Sequence, residues 1–412
     1  MTPLEMPRLD AERSDLMRQV RRLWQSETGL GPILIGLLAL IIYFAVRSSV
    51  FLTAGNITNL FIEGTIFILL GMAEIWLLLM GDIDLSIGYS AGIGGAIAVI
   101  YTDQAHLWPW WLVLPLALLA CTFISGVWGA ICVYLRLPSF IVTLAGQIML
   151  AGVLLYIIDS QGNSGGSLPV QESVLHNLVY GDFTPFATWV TILAAAGVLS
   201  WMVLRGEQRR RTAGLGGKPL WLAFLKVGIL FGAGIVLSLI FNTSRSSFTV
   251  LNGMPFAIPI DIGVLAIGTF ILTKSRAGRY IYAIGGNVEA ARRAGINVNR
   301  YRILAFMFSG ATTGVAGLLY VSNLNGISTG IEGGQYVLYA VAAAVIGGTS
   351  LFGGRGKMIH AVIGGVVIAT IDNGMALINV SASGLEIVTG LVLLAAVVVD
   401  SLARRSSANS AA

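Results

Sequence analysis

Long apolar runs alternate along the chain with short polar ones. The apolar windows fall at roughly 30–46, 60–80, 85–101, 110–134, 140–158, 186–204, 227–242, 256–273, 303–322, 336–348, 358–377 and 385–400. A helix needs about 20 mostly apolar residues to cross a bilayer, and most windows approach that length. The pattern predicts an all-α polytopic membrane protein with about 10–12 transmembrane helices. Windows 85–101 and 336–348 are short. They predict broken or re-entrant segments, which a membrane protein tolerates only where protein covers them.

A weak internal repeat runs through the same pattern. Residues 77–99, LLLMGDIDLSIGYSAGIGGAIAV, match residues 341–369, VAAAVIGGTSLFGGRGKMIHAVIGGVVIA, in shape. Each has an apolar helix, then Gly81 or Gly347-Gly348, then a polar glycine-rich bend and a small-residue helix. Two halves on one plan suit a transporter.

Five regions follow. Residues 1–29 form a polar tail, 30–400 the transmembrane body, 205–226 and 274–302 two basic cytoplasmic segments, and 401–412 a C-terminal tail. In the first tail, 13–25 can form an amphipathic helix with Leu16, Val20 and Leu23 on one face. That suits an interfacial helix or a partner contact, and equally a solvated tail that sets orientation.

Composition removes the soluble alternatives. Apolar residues make up 56% and charged residues 11%, with mean hydropathy +0.83; soluble domains carry about 25% charged residues. The net charge of +5 could suggest nucleic acid, but its placement argues for membrane orientation. With the N-terminal tail inside, 23 of the 25 Lys and Arg fall on the cytoplasmic side, and only Arg47 and Arg245 fall outside. Loops 102–109, 159–184 and 323–335 hold no Lys or Arg but carry Asp103, Asp159, Glu172, Asp182 and Glu332. This positive-inside bias predicts both termini and the 274–302 block in the cytoplasm.

No enzyme chemistry emerges. GLGGKP lacks the spacing and hydroxyl of a phosphate-binding loop, no HExxH occurs, and GGNVEAARRAG is not a dinucleotide fingerprint. Cys121 and Cys132 share one apolar run, and three scattered histidines leave little room for a metal centre. The expectation is a chain with no catalytic residues, no metal and no cofactor of its own.

Three groups of residues remain as candidates. Gly81, Asp82, Asp84, Ser86 and Gly88 mark a helix break, where Asp82, Asp84 and Ser86 would accept backbone N–H bonds as the helix restarts. In the 274–302 block, Gly285-Gly286 breaks a helix, Asn287 can cap, and VEAARRAG forms a short run ended by Gly295. Its alanines permit close approach, while Glu289, Arg292 and Arg293 offer ion pairs. Such a knob fits a groove on a cytoplasmic partner. The third group is the polar residues of the spans: Asn56, Asn59, Glu63, Gln147, Asn323, Asn325, Asp372 and Asn373. They suit a hydrogen-bonding substrate path or, singly, helix–helix contacts. Glu63 and Glu74 are costly in lipid and should face protein or a cavity.

Residues 81–96 (GDIDLSIGYSAGIGGA), 137–146 (LPSFIVTLAG) and 283–319 (AIGGNVEAARRAGINVNRYRILAFMFSGATTGVAGLL) resemble the inner-membrane permease subunits of bacterial monosaccharide ABC importers of the ribose/xylose/galactose group. The likeness covers most of 30–400 and leans to the D-xylose branch. It implies alternating access, a second permease copy, a cytoplasmic ATPase that binds ATP and Mg, and an extracytoplasmic sugar-binding protein. It also implies that Glu289, Ala290, Ala291, Arg292, Arg293 and Gly295 match the segment that docks on the ATPase. The group has about ten membrane helices, and the longer branch adds a hydrophobic pair around 205–226. Ribose, galactose and branched-chain amino acids stay open as substrates, as does an ion-coupled secondary transporter.

Overall fold

The computed structural model describes residues 30–381 except 104–105, 162–165, 215–219 and 246–250, together with 383–392, 394 and 398. The amphipathic stretch at 13–25 and the C-terminal tail lie outside the described residues.

The helices are α1 (Leu30–Arg47), α2 (Ala54–Leu78), α3 (Ile87–Tyr101), α4 (Trp110–Tyr134), α5 (Ser139–Ser160), α6 (Ser173–Tyr180), α7 (Pro185–Thr212) and α8 (Leu220–Asn242). After them come α9 (Ala257–Lys274), α10 (Arg276–Gly286), α11 (Val288–Arg293), α12 (Val298–Asn323), α13 (Gly333–Ile346), α14 (Met358–Leu377) and α15 (Ser383–Val392). Strands β1 (Ser167–Pro169) and β2 (Gly326–Ser328) pair antiparallel, Leu168 opposite Ile327. Among the described residues, eight helices are long and apolar enough to cross a membrane, and four apolar helices, α1, α3, α13 and α15, are shorter. Each apolar window contains a helix, the last of them described as α15 over Ser383–Val392, and the two short ones are indeed short, at 15 residues for α3 and 14 for α13.

Sequence chemistry sets many helix ends. The Thr53 hydroxyl accepts from Asn56 N at the start of α2, and Thr184 accepts from Ala187 N just before Pro185 opens α7. The two bends of the predicted repeat end their preceding helices in the same way. Gly81 N donates to Leu78 O and Asp82 N to Leu77 O; Gly348 N donates to Val345 O and Thr349 N to Ala344 O. Gly81 and Gly348 both take positive φ, 79° and 107°, as this type of helix end requires. The repeat is thus visible in backbone geometry.

Helix α2 is the hub, with 89% of its apolar window buried. It packs against α12, α13 and α14, and α12 in turn packs along α3 and α4. Glycines bring these helices into backbone contact. A Cβ on Gly317 of α12 would lie 2.2 Å from the Ala91 carbonyl oxygen of α3, and one on Gly364 of α14 would lie 1.8 Å from the Ala343 carbonyl oxygen of α13. Close approach of this kind holds membrane helices together where lipid removes the hydrophobic drive between them. Helices α7 and α8 pack mainly on each other and bury only 17% of each span. The pair that the resemblance sets apart as additional therefore lies at the periphery, presenting its apolar side chains outward.

Connecting segments pack on one another at both ends of the bundle. At the cap end, β1, β2 and α6 lie across the end of α12. Val179 N donates to the Ser322 hydroxyl at 3.0 Å, the Ser322 hydroxyl donates to His176 O, and Tyr180 OH donates to Asn323 O. Arg245 pairs with Asp182, tying the α8–α9 connection to the α6–α7 connection. At the opposite, basic end lie the two bends and the 274–302 block. There α7 runs helically through Arg205 and Arg211 to Thr212, so the described part of the 205–226 segment is largely helix.

Candidate functional site

The basic end is built around one backbone junction. Gly354 N, in the bend before α14, donates to Leu79 O, in the bend after α2, at 2.9 Å. Gly285, at the end of α10, fits between them: a Cβ there would stand 1.7 Å from the Leu79 oxygen and 2.7 Å from the Gly354 nitrogen. Tyr282, one turn earlier on α10, donates to Gly356 O at 2.6 Å. Burial pushes its phenol up, so it remains a donor at neutral pH. Three separate chain segments meet where no side chain fits.

An ion pair closes the junction. Arg302, in the first turns of α12, donates Nε to Asp82 Oδ2 at 2.7 Å and NH2 to Asp82 Oδ1 at 2.5 Å. This corrects the capping role expected of Asp82, whose carboxylate is taken up by the guanidinium. Ser86 precedes α3 without a side-chain cap bond. Only Asp84 behaves as expected, accepting from Ser86 N at 2.8 Å and from the Ser86 hydroxyl at 2.5 Å. Residues 83–85 are held against the start of α5 instead: Ile83 N donates to the Ser139 hydroxyl and Leu85 N to the Thr143 hydroxyl. That non-helical passage carries the chain back into the bundle, with Asp84 and Ser86 buried, before α3 begins. Gly88 at the start of α3 then meets Gly333 at the start of α13, where a Cβ on Gly88 would lie 1.9 Å from the Gly333 oxygen. Two short helices thus abut at their N-termini inside the protein, an arrangement found around transporter binding sites.

The short helix of the basic block is present. Asn287 caps α11 by accepting from Ala290 N at 2.9 Å, and Gly295, at φ 81°, ends it through Ile296 N donating to Ala291 O. Ala291 is buried against the bundle, while Glu289, Ala290, Arg292 and Arg293 are exposed. Glu289 pairs with Arg292 along the helix at 2.9 Å. Upstream, residues 276–286 form a second helix, α10, with Ile281 and Ile284 buried. Its amphipathic spacing was legible in RYIYAIGG but was not drawn from the sequence.

The eight polar candidates divide into four places. Asn56, Glu63, Asp372 and Asn373 come together between α2 and α14. Asn56 Nδ2 donates to Asn373 Oδ1 at 2.9 Å, and Asn373 Nδ2 donates to Glu63 Oε2 at 3.2 Å. Asn323 and Asn325 belong to the cap: Tyr180 binds the Asn323 carbonyl, and Asn325 Oδ1 lies 3.0 Å from His176 Nδ1. Gln147 stands on α5 beside Gly334, and Asn59 is exposed on α2. Glu74 is fully buried beside Asp84, so it faces protein as expected. Cys121 and Cys132 are free and buried. No group of three or more His, Cys, Asp or Glu able to hold a metal occurs among the described residues.

Residues 56–397 match the family described as branched-chain amino acid transport system / permease component. The chain is 32% identical over 386 residues to the xylose transport system permease protein XylH of Escherichia coli K12, covering 90% of this chain and 91% of the relative. It belongs to the sugar-type ABC permease family. The XylH of Haemophilus influenzae is 33% identical over 375 residues, 89% of this chain and 94% of the relative. The D-allose transport system permease protein AlsC of Escherichia coli K12 is 27% identical over 361 residues, 88% of each chain. No solved structure matches the chain. As a permease of this family it is a multi-pass membrane transport subunit.

Proposed function

We propose that this permease imports D-xylose or a closely related monosaccharide. Support comes from the match to XylH proteins at 32–33% identity over about nine-tenths of the chain, above the 29% to a ribose import permease and 27% to a D-allose permease. Two copies form the membrane unit. A cytoplasmic ATPase carries ATP and Mg, and an extracytoplasmic binding protein delivers sugar to the cap end. The chain sits in the bacterial inner membrane with both termini and the basic end in the cytoplasm, as the charge distribution favours.

In this reading α11 is the coupling contact. Glu289, Ala290, Arg292 and Arg293 face the ATPase, Ala291 anchors the helix to the bundle, and Gly295 turns the chain into α12. The Gly285–Leu79–Gly354 junction and the Asp82–Arg302 pair stand between that contact and both bends. Movement of α11 therefore shifts α2, α12 and α14 together. The permease contributes two conformations of different stability, not a reactive group. Of the polar residues, Asn56, Glu63, Asp372 and Asn373 form the group best placed to line the path.

Reconstitution with the cognate ATPase and binding protein tests the reading. ATP-dependent uptake of D-xylose, ribose, galactose, D-allose and leucine would be compared. Uptake of xylose ahead of the others is the expected result. Leucine uptake alone would reassign the substrate, and uptake driven by an ion gradient without ATPase would overturn the importer reading.

A further inference from the structure

Helix α7 does not stop where its apolar run ends. The run covers 186–204, and the helix continues from Arg205 to Thr212. The added turns carry Arg205, Arg209, Arg210 and Arg211 with one acid, Glu207. Glu207 pairs with Arg211 at 3.7 Å. No acid pairs with Arg205, Arg209 or Arg210 among the described residues. Arg205 instead folds back toward the apolar run, its guanidinium carbon 4.5 Å from the centre of the Trp201 ring.

The packing of α7 settles which way this stripe faces. Ile192 and Ala196 meet Gly234 of α8, 3.4 and 3.6 Å from a Cβ built there. At 3.6 residues per turn, Trp201, Arg205 and Arg209 point about 140°, 180° and 140° away from the direction of Ala196. All three therefore turn away from α8, and all three are exposed. Helix α7 packs mainly on α8, so its outward side meets lipid along the apolar run. Counted antiparallel from the same contact, Lys226, eight residues before Gly234, comes level with residues 200–204. A further exposed cation thus stands at this depth on α8.

Apolar side chains, then an exposed indole, then unpaired arginines match the layers of a membrane surface in order. Tryptophan rings settle at headgroup level, and arginines just beyond a span attract anionic headgroups. A guanidinium can bind one phosphate through two parallel N–H bonds. A zwitterionic headgroup offers the same phosphate but brings its own cation, which the arginines repel. An acidic soluble partner would meet the arginines, yet it would not use a guanidinium held back on Trp201 at the lipid edge. We propose that the Trp201–Arg205–Arg209 face of α7 binds the headgroup of an anionic phospholipid. Arg205 and Arg209 take the phosphate, Trp201 holds Arg205 at headgroup depth, and Lys226 adds positive charge at the same level. The peripheral α7–α8 pair is then a lipid anchor, whichever solute the permease carries.

The test uses the full permease in detergent, titrated with phosphatidylglycerol and with phosphatidylcholine of the same acyl chains. Native mass spectrometry reads the affinity for each lipid. The wild type should prefer phosphatidylglycerol, and the preference should fall roughly fivefold for each of Arg205→Gln and Arg209→Gln. Arg210→Gln removes one charge from the α8 side of the same helix, about 40° from the direction of Ala196, and should change the preference less than twofold. If the double variant Arg205→Gln, Arg209→Gln does not assemble, the two single variants decide, and an unchanged preference in both overturns the proposal. An equal loss in Arg210→Gln overturns it too, because general positive charge would then suffice. Inorganic phosphate is the competing probe. It should leave the bound lipid in place, and displacement by phosphate at millimolar concentration would show a soluble-anion site instead.

Discussion

Arg302 holds Asp82 with two parallel hydrogen bonds, at 2.7 and 2.5 Å, across 220 residues of sequence. The fork geometry matches guanidinium to carboxylate in orientation as well as charge. Asp82 retains 8% side-chain exposure and Arg302 26%. The pair therefore fixes the bend after α2 to the helix that follows α11, at the point where α10 enters the same junction.

Removing one partner should leave a nearly buried charge uncompensated. Asp82→Asn or Arg302→Met should each cost on the order of 2–3 kcal/mol. This falls below the value for a wholly buried pair because Arg302 is partly exposed. Arg302→Lys should recover only part of the loss, since an ammonium cannot bind both oxygens in plane. Thermal unfolding in detergent, arranged as a double-mutant cycle, would measure the coupling; additive single losses would refute it.

Two adjacent glycines should behave oppositely. A Cβ on Gly285 would strike the Leu79 oxygen at 1.7 Å, whereas a Cβ on Gly286 meets nothing within 4 Å. Gly285→Ala should force the bends apart, lower the melting temperature and abolish ATP-driven uptake. Gly286→Ala should leave both close to wild type. Equal behaviour of the two variants would remove the junction from the account of how the bends are held.

Substitutions on the exposed face of α11 should separate stability from coupling. Glu289→Ala and Arg293→Ala should leave the melting temperature unchanged while sugar-dependent ATP hydrolysis and uptake fall. Gly295→Ala should add backbone strain of roughly 1 kcal/mol at φ 81°, and Gly295→Asn less. Normal coupling in Glu289→Ala and Arg293→Ala would take the ATPase contact away from α11.

Sidedness is open to direct labelling. Cys121 and Cys132 are buried and should resist a membrane-impermeant maleimide in intact cells. Asn325→Cys, exposed at the cap end, should label from outside. Gly286→Cys, exposed at the basic end, should label only after the membrane is opened. The reverse pattern would invert the proposed orientation.

Local chemistry carried much of this structure into the sequence. The short α11 was legible because Asn287 and Gly295 act on neighbours a few residues away, as cap and helix end. The two bends were legible as a repeat because Gly81 and Gly348 meet the same local requirement for positive φ. The polar span residues were correctly singled out as a class, yet they separate into the Glu63–Asn373 group and the Asn323–Asn325 cap. Polarity within an apolar window reports that a partner is needed, without reporting which helix supplies it.

Asp82 shows the boundary most clearly. From sequence it sits at a helix break, where a cap is the natural expectation, and Arg302 reads as one more charge that sets topology. By itself, the sequence determined the membrane class, the apolar segments, the short α3 and α13 and the helix ends. These depend on hydrophobic run length and on contacts between near neighbours. Only the tertiary structure decided that Asp82 meets Arg302, that Gly285 seats between two distant bends, and that α3 and α13 abut at Gly88 and Gly333. Those contacts depend on how helices far apart in the chain approach one another, and that is set by the summed packing of many small residues rather than by any local run.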